Sequence, residues 1–286
     1  MAEPDPPEPA PPAPVPPKPD QRQIHPEPAP SLRVWNAVTG DILNVSCDIG
    51  RAWQWESVET FVAAEEALTQ TLEELAAKWR KMALKMETQL VPEDQYLENT
   101  MEHMKPIMSL LDTYQHRIGY HARMGKTALG IAELLAARGI GRVLEVGCGR
   151  QALGMLVTRH LPRLLWEYSD IVHYSSPVRG VVNEVHLSTA AAASASTESE
   201  ALVLCWPLMD NPMAVDSLRN FRGSFLVYLG EPRKGCTANG DFFDELESEW
   251  TLLREDRRGG LAEICPCYYN IAIYRDSSFA YERTRR

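Results

Sequence analysis

From Ser57 onward, apolar residues recur at Phe61, Leu68, Leu72, Leu75, Trp79, Met82, Met86 and Leu90, separated by 7, 4, 3, 4, 3, 4 and 4 positions. Steps of three, four and seven return to one side of a helix, so the pattern predicts a long amphipathic helix with Ser57 as its N-cap. Glu66, Glu73, Glu74, Lys78, Lys81 and Lys85 fall on the opposite side. We read the apolar stripe as a surface that packs on another helix. Pro92 suits a first helical turn, and a second helix is expected from Pro92 to Lys105, kinked or restarted by Pro106. A third is expected from Tyr120 to Ala137, closed by Arg138-Gly139. Ahead of these helices, Ser31–Trp35 and Asp41–Val45 read as short strands joined by a turn at Thr39-Gly40-Asp41.

After Gly141 the period changes. Short apolar runs follow at Arg142–Val146, Leu164–Tyr168, Val181–Leu187, Ala201–Trp206, Phe225–Leu229, Trp250–Leu253 and Tyr268–Tyr274. Helix-capable segments separate the earlier ones. Strands that alternate with helices pair in parallel through right-handed crossovers, which predicts a doubly wound α/β sheet of seven strands.

Composition adds a third part. Thirteen of the 21 prolines lie within residues 1–30. Proline lacks an amide donor and has a fixed φ, so this arm is expected to be extended, disordered and close to polyproline II, a form that aromatic-lined proline-binding domains recognise. The expected organisation is a proline-rich arm (1–30), a mostly helical region (31–139) and an α/β domain (140–286). The net charge of −10 does not favour nucleic acid as a partner. No apolar run approaches the ~18 residues of a membrane span, and the N-terminus lacks the pattern of a secretory signal. The six cysteines, at 47, 148, 205, 236, 265 and 267, form no CxxC pair. Reduced thiols in an intracellular protein are expected, with Cys265-Pro266-Cys267 at a strand edge.

The most informative stretch is Val143-Leu-Glu-Val-Gly-Cys-Gly-Arg-Gln-Ala-Leu-Gly154. A strand ends in Glu145 and Val146, a Gly-x-Gly turn follows, and a helix begins. Gly147 permits the sharp turn, and Gly149 lets a ligand approach backbone amides at the helix N-terminus. Asp170, 21 residues beyond Gly149, closes the next strand where a ribose-binding acid is expected. Gly147, Gly149 and Ala152 also approach a nicotinamide-binding fingerprint. Glu145 before the first glycine, and the long helical region ahead of the strand, favour a different nucleoside cofactor. Gly125-Lys126-Thr127 lacks the earlier glycine of a phosphate-binding loop.

Glu145-Val-Gly-Cys-Gly149 resembles the first motif of the class I S-adenosylmethionine-dependent methyltransferases. The resemblance implies a Rossmann-like fold of seven strands, the last inserted antiparallel, over about residues 120–286. It implies S-adenosylmethionine as cofactor. Glu145, Gly147 and Gly149, with Cys148 between the glycines, would line the methionine and adenosine site, and Asp170 would bind the ribose hydroxyls. The family's third glycine falls at Gln151, which is a departure from the motif.

The fourth strand, Ala201–Trp206, runs into Pro207, and ligands bind beyond such strand ends. Trp206 is a candidate wall of the cofactor site, and Asp210 and Asn211 face the expected reaction zone. Cys205-Trp-Pro-Leu208 resembles the amino-methylating quartet only through its proline. Asn211-Pro212 also reads as the start of a helix over Met213–Phe221. Glu231 opens a glycine-rich loop after strand five, where it could serve as a base or hold a cationic substrate. Asp210 and Glu231 are therefore the candidate catalytic residues. The histidines show no metal-binding spacing. Two functions stand open: methyl transfer to an unidentified acceptor, or a non-catalytic interaction module on the same fold.

Overall fold

The computed structural model describes residues 31–35, 42–46, 54–88, 92–118, 123–172, 174, 176–179, 181, 183–256 and 277–284. The proline-rich arm, the turn at 39–41, Leu90, the cysteines at 47, 265 and 267 and the expected strand at 268–274 lie outside these residues.

Strands β1 (Ser31–Trp35) and β2 (Ile42–Ser46) pair antiparallel as a two-stranded sheet. Helix α1 (Val58–Thr88) begins where the sequence places it. Ser57 Oγ accepts the Thr60 amide, and Thr60 Oγ1 accepts the Ser57 amide, a reciprocal cap. Helix α2 (Glu93–Arg117) continues through Pro106 instead of breaking there. Beyond the proline, Ile107, Leu110 and Leu111 bury themselves against Leu72, Ala76 and Trp79 of α1. That packing outweighs the ~3 kcal/mol that an interior proline costs. Helix α3 (Met124–Ala137) starts later than expected, behind Arg123 in a left-handed conformation (φ 57°).

One buried carboxylate joins the three helices. Glu65 Oε1 accepts the Tyr114 hydroxyl (2.6 Å), the Thr69 hydroxyl (3.0 Å) and the Gly125 amide (3.0 Å). Tyr114 Oη in turn accepts the Met124 amide (2.6 Å). Two of the amides that open α3 are thereby satisfied from α1 and α2. Glu73, on the nominally solvated side of α1, pairs with Arg123 (2.9 Å) and Lys126.

The remaining elements are β3 (Arg142–Val146), α4 (Ala152–His160), β4 (Leu165–Asp170), β5 (Val185–Leu187), α5 (Ala190–Ser196), β6 (Ala201–Cys205), α6 (Met213–Asn220), β7 (Phe225–Gly230), α7 (Gly240–Glu249), β8 (Trp250–Asp256) and β9 (Ser277–Arg283). The seven-stranded sheet has the order β5-β4-β3-β6-β7-β9-β8, parallel except for β9. Six expected strands are present, though the third is confined to Val185–Leu187. The seventh, β9, was not foreseen. Its polar residues Ser277, Ser278, Glu282 and Arg283 hide a strand flanked on both sides. Arg283 is accommodated by the Phe221 and Leu218 carbonyls (2.7 and 3.2 Å) and by the Trp250 ring.

Side chains alternate across this sheet with period two. Val143, Ala201, Val203, Phe225, Val227 and Leu229 face one core, which holds α3, α4 and Phe61 and Tyr114 of the preceding helices. Leu144, Val146, Leu202, Leu204, Leu226 and Tyr228 face the other, under α6 and α7. The helical region thus packs directly on the α/β sheet. The chain reverses direction across the sheet between β3 and β6, and the turn after β3 opens at this switch point.

Candidate functional site

Within the turn, the Gly147 and Cys148 amides both donate to the Ser169 carbonyl of β4 (2.8 and 3.2 Å). Gly147 has φ +71°, and a Cβ there would lie 2.7 Å from the Met213 sulfur. The left-handed conformation favours glycine here, while the Met213 side-chain end could shift aside. Gly149 has φ +48°, but a Cβ on it would meet nothing within 4 Å. Its backbone borders open space. Its amide donates to Asp170 Oδ2 (2.9 Å), and the Val172 amide donates to Oδ1 (3.2 Å). Asp170 is half-buried, and each oxygen keeps a further lone pair. Gly149 and Asp170 are therefore joined at one open corner.

Glu145 lies beneath that corner and is fully buried. Its Oε2 accepts the Trp166 indole N–H (2.9 Å). Burial pushes its carboxyl up to about 8; the Trp166 indole and the Gly154 amide oppose that rise, and the Asp170 charge adds to it. Glu145 fastens β3 to β4 and to the first turn of α4. Cys148 is buried, and burial with the nearby Glu145 and Asp170 carboxylates pushes its thiol up, away from the reactive thiolate.

Gly154 carries a role that the sequence reading did not assign. A Cβ on it would lie 2.4 Å from Trp166 Nε1 and 2.6 Å from Tyr168 Oη, so glycine lets α4 close onto β4. The available signal was a glycine in the first helical turn, followed by Trp166 and Tyr168 two apart on the next strand. Gln151 occupies a left-handed conformation (φ +67°) and is buried. Its Nε2 donates to the Tyr174 carbonyl (3.3 Å), and its Oε1 accepts Asn183 Nδ2 (3.0 Å).

The other side of the switch point is built differently. Trp206 is half-buried with φ +53°, and its amide donates to the Leu229 carbonyl (2.8 Å). Asp210 is exposed, in the turn closed by Asn211 N–H to the Leu208 carbonyl (3.2 Å). Asn211 Oδ1 accepts the Met213 amide (2.9 Å), so Asn211 opens α6. Glu231 is fully buried. Its carboxylate accepts the Cys236 amide, its own amide donates to Thr237 Oγ1 (2.7 Å), and Tyr228 Oη donates to its carbonyl (2.9 Å). Gly235 leaves room for it, since a Cβ there would stand 2.3 Å from Glu231 Cβ. Glu231 staples its own loop. Among the described residues, no group of His, Cys, Asp or Glu could hold a metal ion, and no helix is long and apolar enough to cross a membrane.

The decisive feature is the sheet order, with six parallel strands, β9 inserted antiparallel between β7 and β8, and the Gly-x-Gly turn at the switch point. The fold is the doubly wound, methyltransferase-like sheet that the resemblance of the glycine turn implied. The sequence matches no family model and no curated protein. Among solved structures, the fold is similar to that of the S-adenosylmethionine-dependent methyltransferase SibL in its apo form, at 12% identity over 86% of this chain and 80% of that one, with a TM-score of 0.42. It is similar to the mitomycin 7-O-methyltransferase MmcR at 14% identity, over 87% and 78% of the two chains, with a TM-score of 0.37. Similarity to the sugar N-methyltransferase KedS8 from Streptoalloteichus sp. covers 57% of this chain and 88% of that one, at 12% identity and a TM-score of 0.37.

Proposed function

We propose that the protein binds S-adenosylmethionine and transfers its methyl group to an acceptor inside the cell. The observation that carries this reading is the open corner at Gly149 and Asp170, where unencumbered backbone meets a half-buried carboxylate with lone pairs to spare. Asp170 would accept the ribose hydroxyls, and Gly149 would let the nucleoside lie against the main chain. Trp206 would provide a wall on the β6 side. Gly147 and Glu145 hold the turn in shape, with Cys148 as packing between the glycines. When bound, the cofactor supplies an already activated methyl on a sulfonium. What remains for the chain is to hold an acceptor in line and exclude water. Asp210 would be the exposed carboxylate open to an acceptor, since Glu231 is buried within its own loop.

A non-catalytic interaction module is the second reading, favoured by the sealed Glu231 and by Gln151 in place of glycine. The proline-rich residues 1–30 would suit such a role through a proline-recognition domain. Titration calorimetry with S-adenosylmethionine and its demethylated product tests the binding. Methyl-labelled cofactor with candidate acceptors then tests turnover. Binding without transfer to any acceptor favours the module; absence of heat at millimolar ligand rejects the cofactor site.

A further inference from the structure

Gln151 stands where the resembling family has its third glycine, and it keeps the left-handed backbone that a glycine would adopt at no cost (φ +67°). A non-glycine residue there is strained by of order 1 kcal/mol. Its side chain is not directed at the open face of Gly149. It reaches the β4–β5 connection, where both ends of the amide are engaged: Nε2 donates to the Tyr174 carbonyl and Oε1 accepts from Asn183 Nδ2. The same connection is held from its far side by the segment before α1. There the Trp55 amide donates to the Pro177 carbonyl (2.7 Å), the Arg179 amide donates to the Trp55 carbonyl (2.7 Å), and Gln54 Nε2 donates to the Ser176 carbonyl (3.1 Å). Val178 is buried between these contacts in the core. The connection leaves Asp170 through Ile171, Val172 and Tyr174, three exposed apolar side chains at the edge of the open corner.

We infer that Gln151 is a positioning residue for the nucleoside half of the cofactor: its buried amide latches the β4–β5 connection, so that the residues after Asp170 stand at a fixed distance from the glycine turn. The inference rests on the cofactor reading above. It turns a departure from the motif into a substitute for it, with a side-chain clamp in place of a bare backbone.

The test compares Gln151→Gly with wild type for thermal stability and for affinity towards S-adenosylhomocysteine and 5′-methylthioadenosine, the latter lacking the amino-acid end. Glycine relieves the strained φ while deleting two hydrogen bonds, so the melting temperature should stay within ~3 °C. Affinity for both ligands should fall about tenfold and by the same factor, because the latch acts on the nucleoside they share. Asn183→Ala, which removes one arm of the latch and leaves the turn untouched, should weaken both ligands about threefold. Equal or tighter binding by Gln151→Gly and Asn183→Ala overturns the inference while the cofactor site stands. A loss confined to S-adenosylhomocysteine also overturns it. A wild type that binds neither ligand overturns the functional reading and the inference together.

Discussion

The carboxyl edge of the sheet has two halves, and they handle their acidic residues in opposite ways. On the β3–β4 half, Asp170 is gripped by two backbone amides and still faces open space beside Gly149. On the β6–β7 half, Glu231 is buried in its own loop and Asp210 stands exposed in a turn. The first half is preorganised to hold a polar ligand. The second presents Asp210 on its surface and keeps Glu231 inside. On the proposed reading, a chain built this way would grip a nucleoside more firmly than it handles protons, as suits a reaction whose electrophile arrives already activated.

The contrast can be broken most sharply at Gly149. Gly149→Val places a β-branched side chain at φ +48° in the open corner. Calorimetry should show cofactor affinity reduced at least 100-fold, about 2.7 kcal/mol. Undiminished binding would locate the cofactor elsewhere. Next come two changes that act on stability. Gly154→Ala drives a methyl into Trp166 and Tyr168 and should cost ~2 kcal/mol in denaturant unfolding. Glu231→Ala, which frees the Cys236 amide and its loop, should cost a similar ~2 kcal/mol. If Glu231→Ala unfolds like wild type, the staple is decorative and the residue is available for chemistry.

A pH series on Glu145 sharpens the first half. Its carboxyl is raised in the folded protein, from 4.5 to about 8, so between these values the folded state holds a proton that the unfolded chain has released. Stability from this group is present in full below the lower value and is lost as pH rises towards 8. Wild type should therefore lose ~1.5 kcal/mol or more relative to Glu145→Gln between pH 5 and pH 8. Parallel curves for the two proteins would contradict a buried, protonated Glu145. The smallest effect is expected at Asp210. Asp210→Ala should leave unfolding within ~0.5 kcal/mol and cofactor affinity within about threefold. In an active enzyme it should lower turnover about tenfold, ~1.4 kcal/mol of barrier. Unchanged turnover would assign the acceptor contacts to other residues.

Much of this was legible in the chain because periodicity reports burial directly. The stripe from Phe61 to Met86 and the Ser57 cap followed from spacing, and the runs expected at 142–146, 201–206 and 225–229 are strands at 142–146, 201–205 and 225–230. The Gly149–Asp170 corner followed from a turn and an acid 21 residues apart. What escaped is set by contacts distant in sequence. Pro106 sits within a helix because Leu72 and Trp79 lie across from the residues that follow it. Glu65 is buried because Tyr114 and Gly125 come to meet it 49 and 60 residues later. The sealing of Glu231 depends on Thr237 and Gly235 folding back, which no local propensity announces.

The position of β9 has a consequence for how the molecule comes into being. Among the described residues, β8 pairs with the sheet only through β9, and β7 has β9 as its outer neighbour. During synthesis, every strand up to β8 can exist before the sheet is able to close. Until Ser277–Arg283 is made, β7 presents Phe225–Gly230, six residues that are all buried in the finished protein, as an open edge. Such an edge is a template for pairing with any other extended chain. If the earlier strands assemble first, the nascent protein would expose an apolar strand edge until the segment near residue 280 covers it.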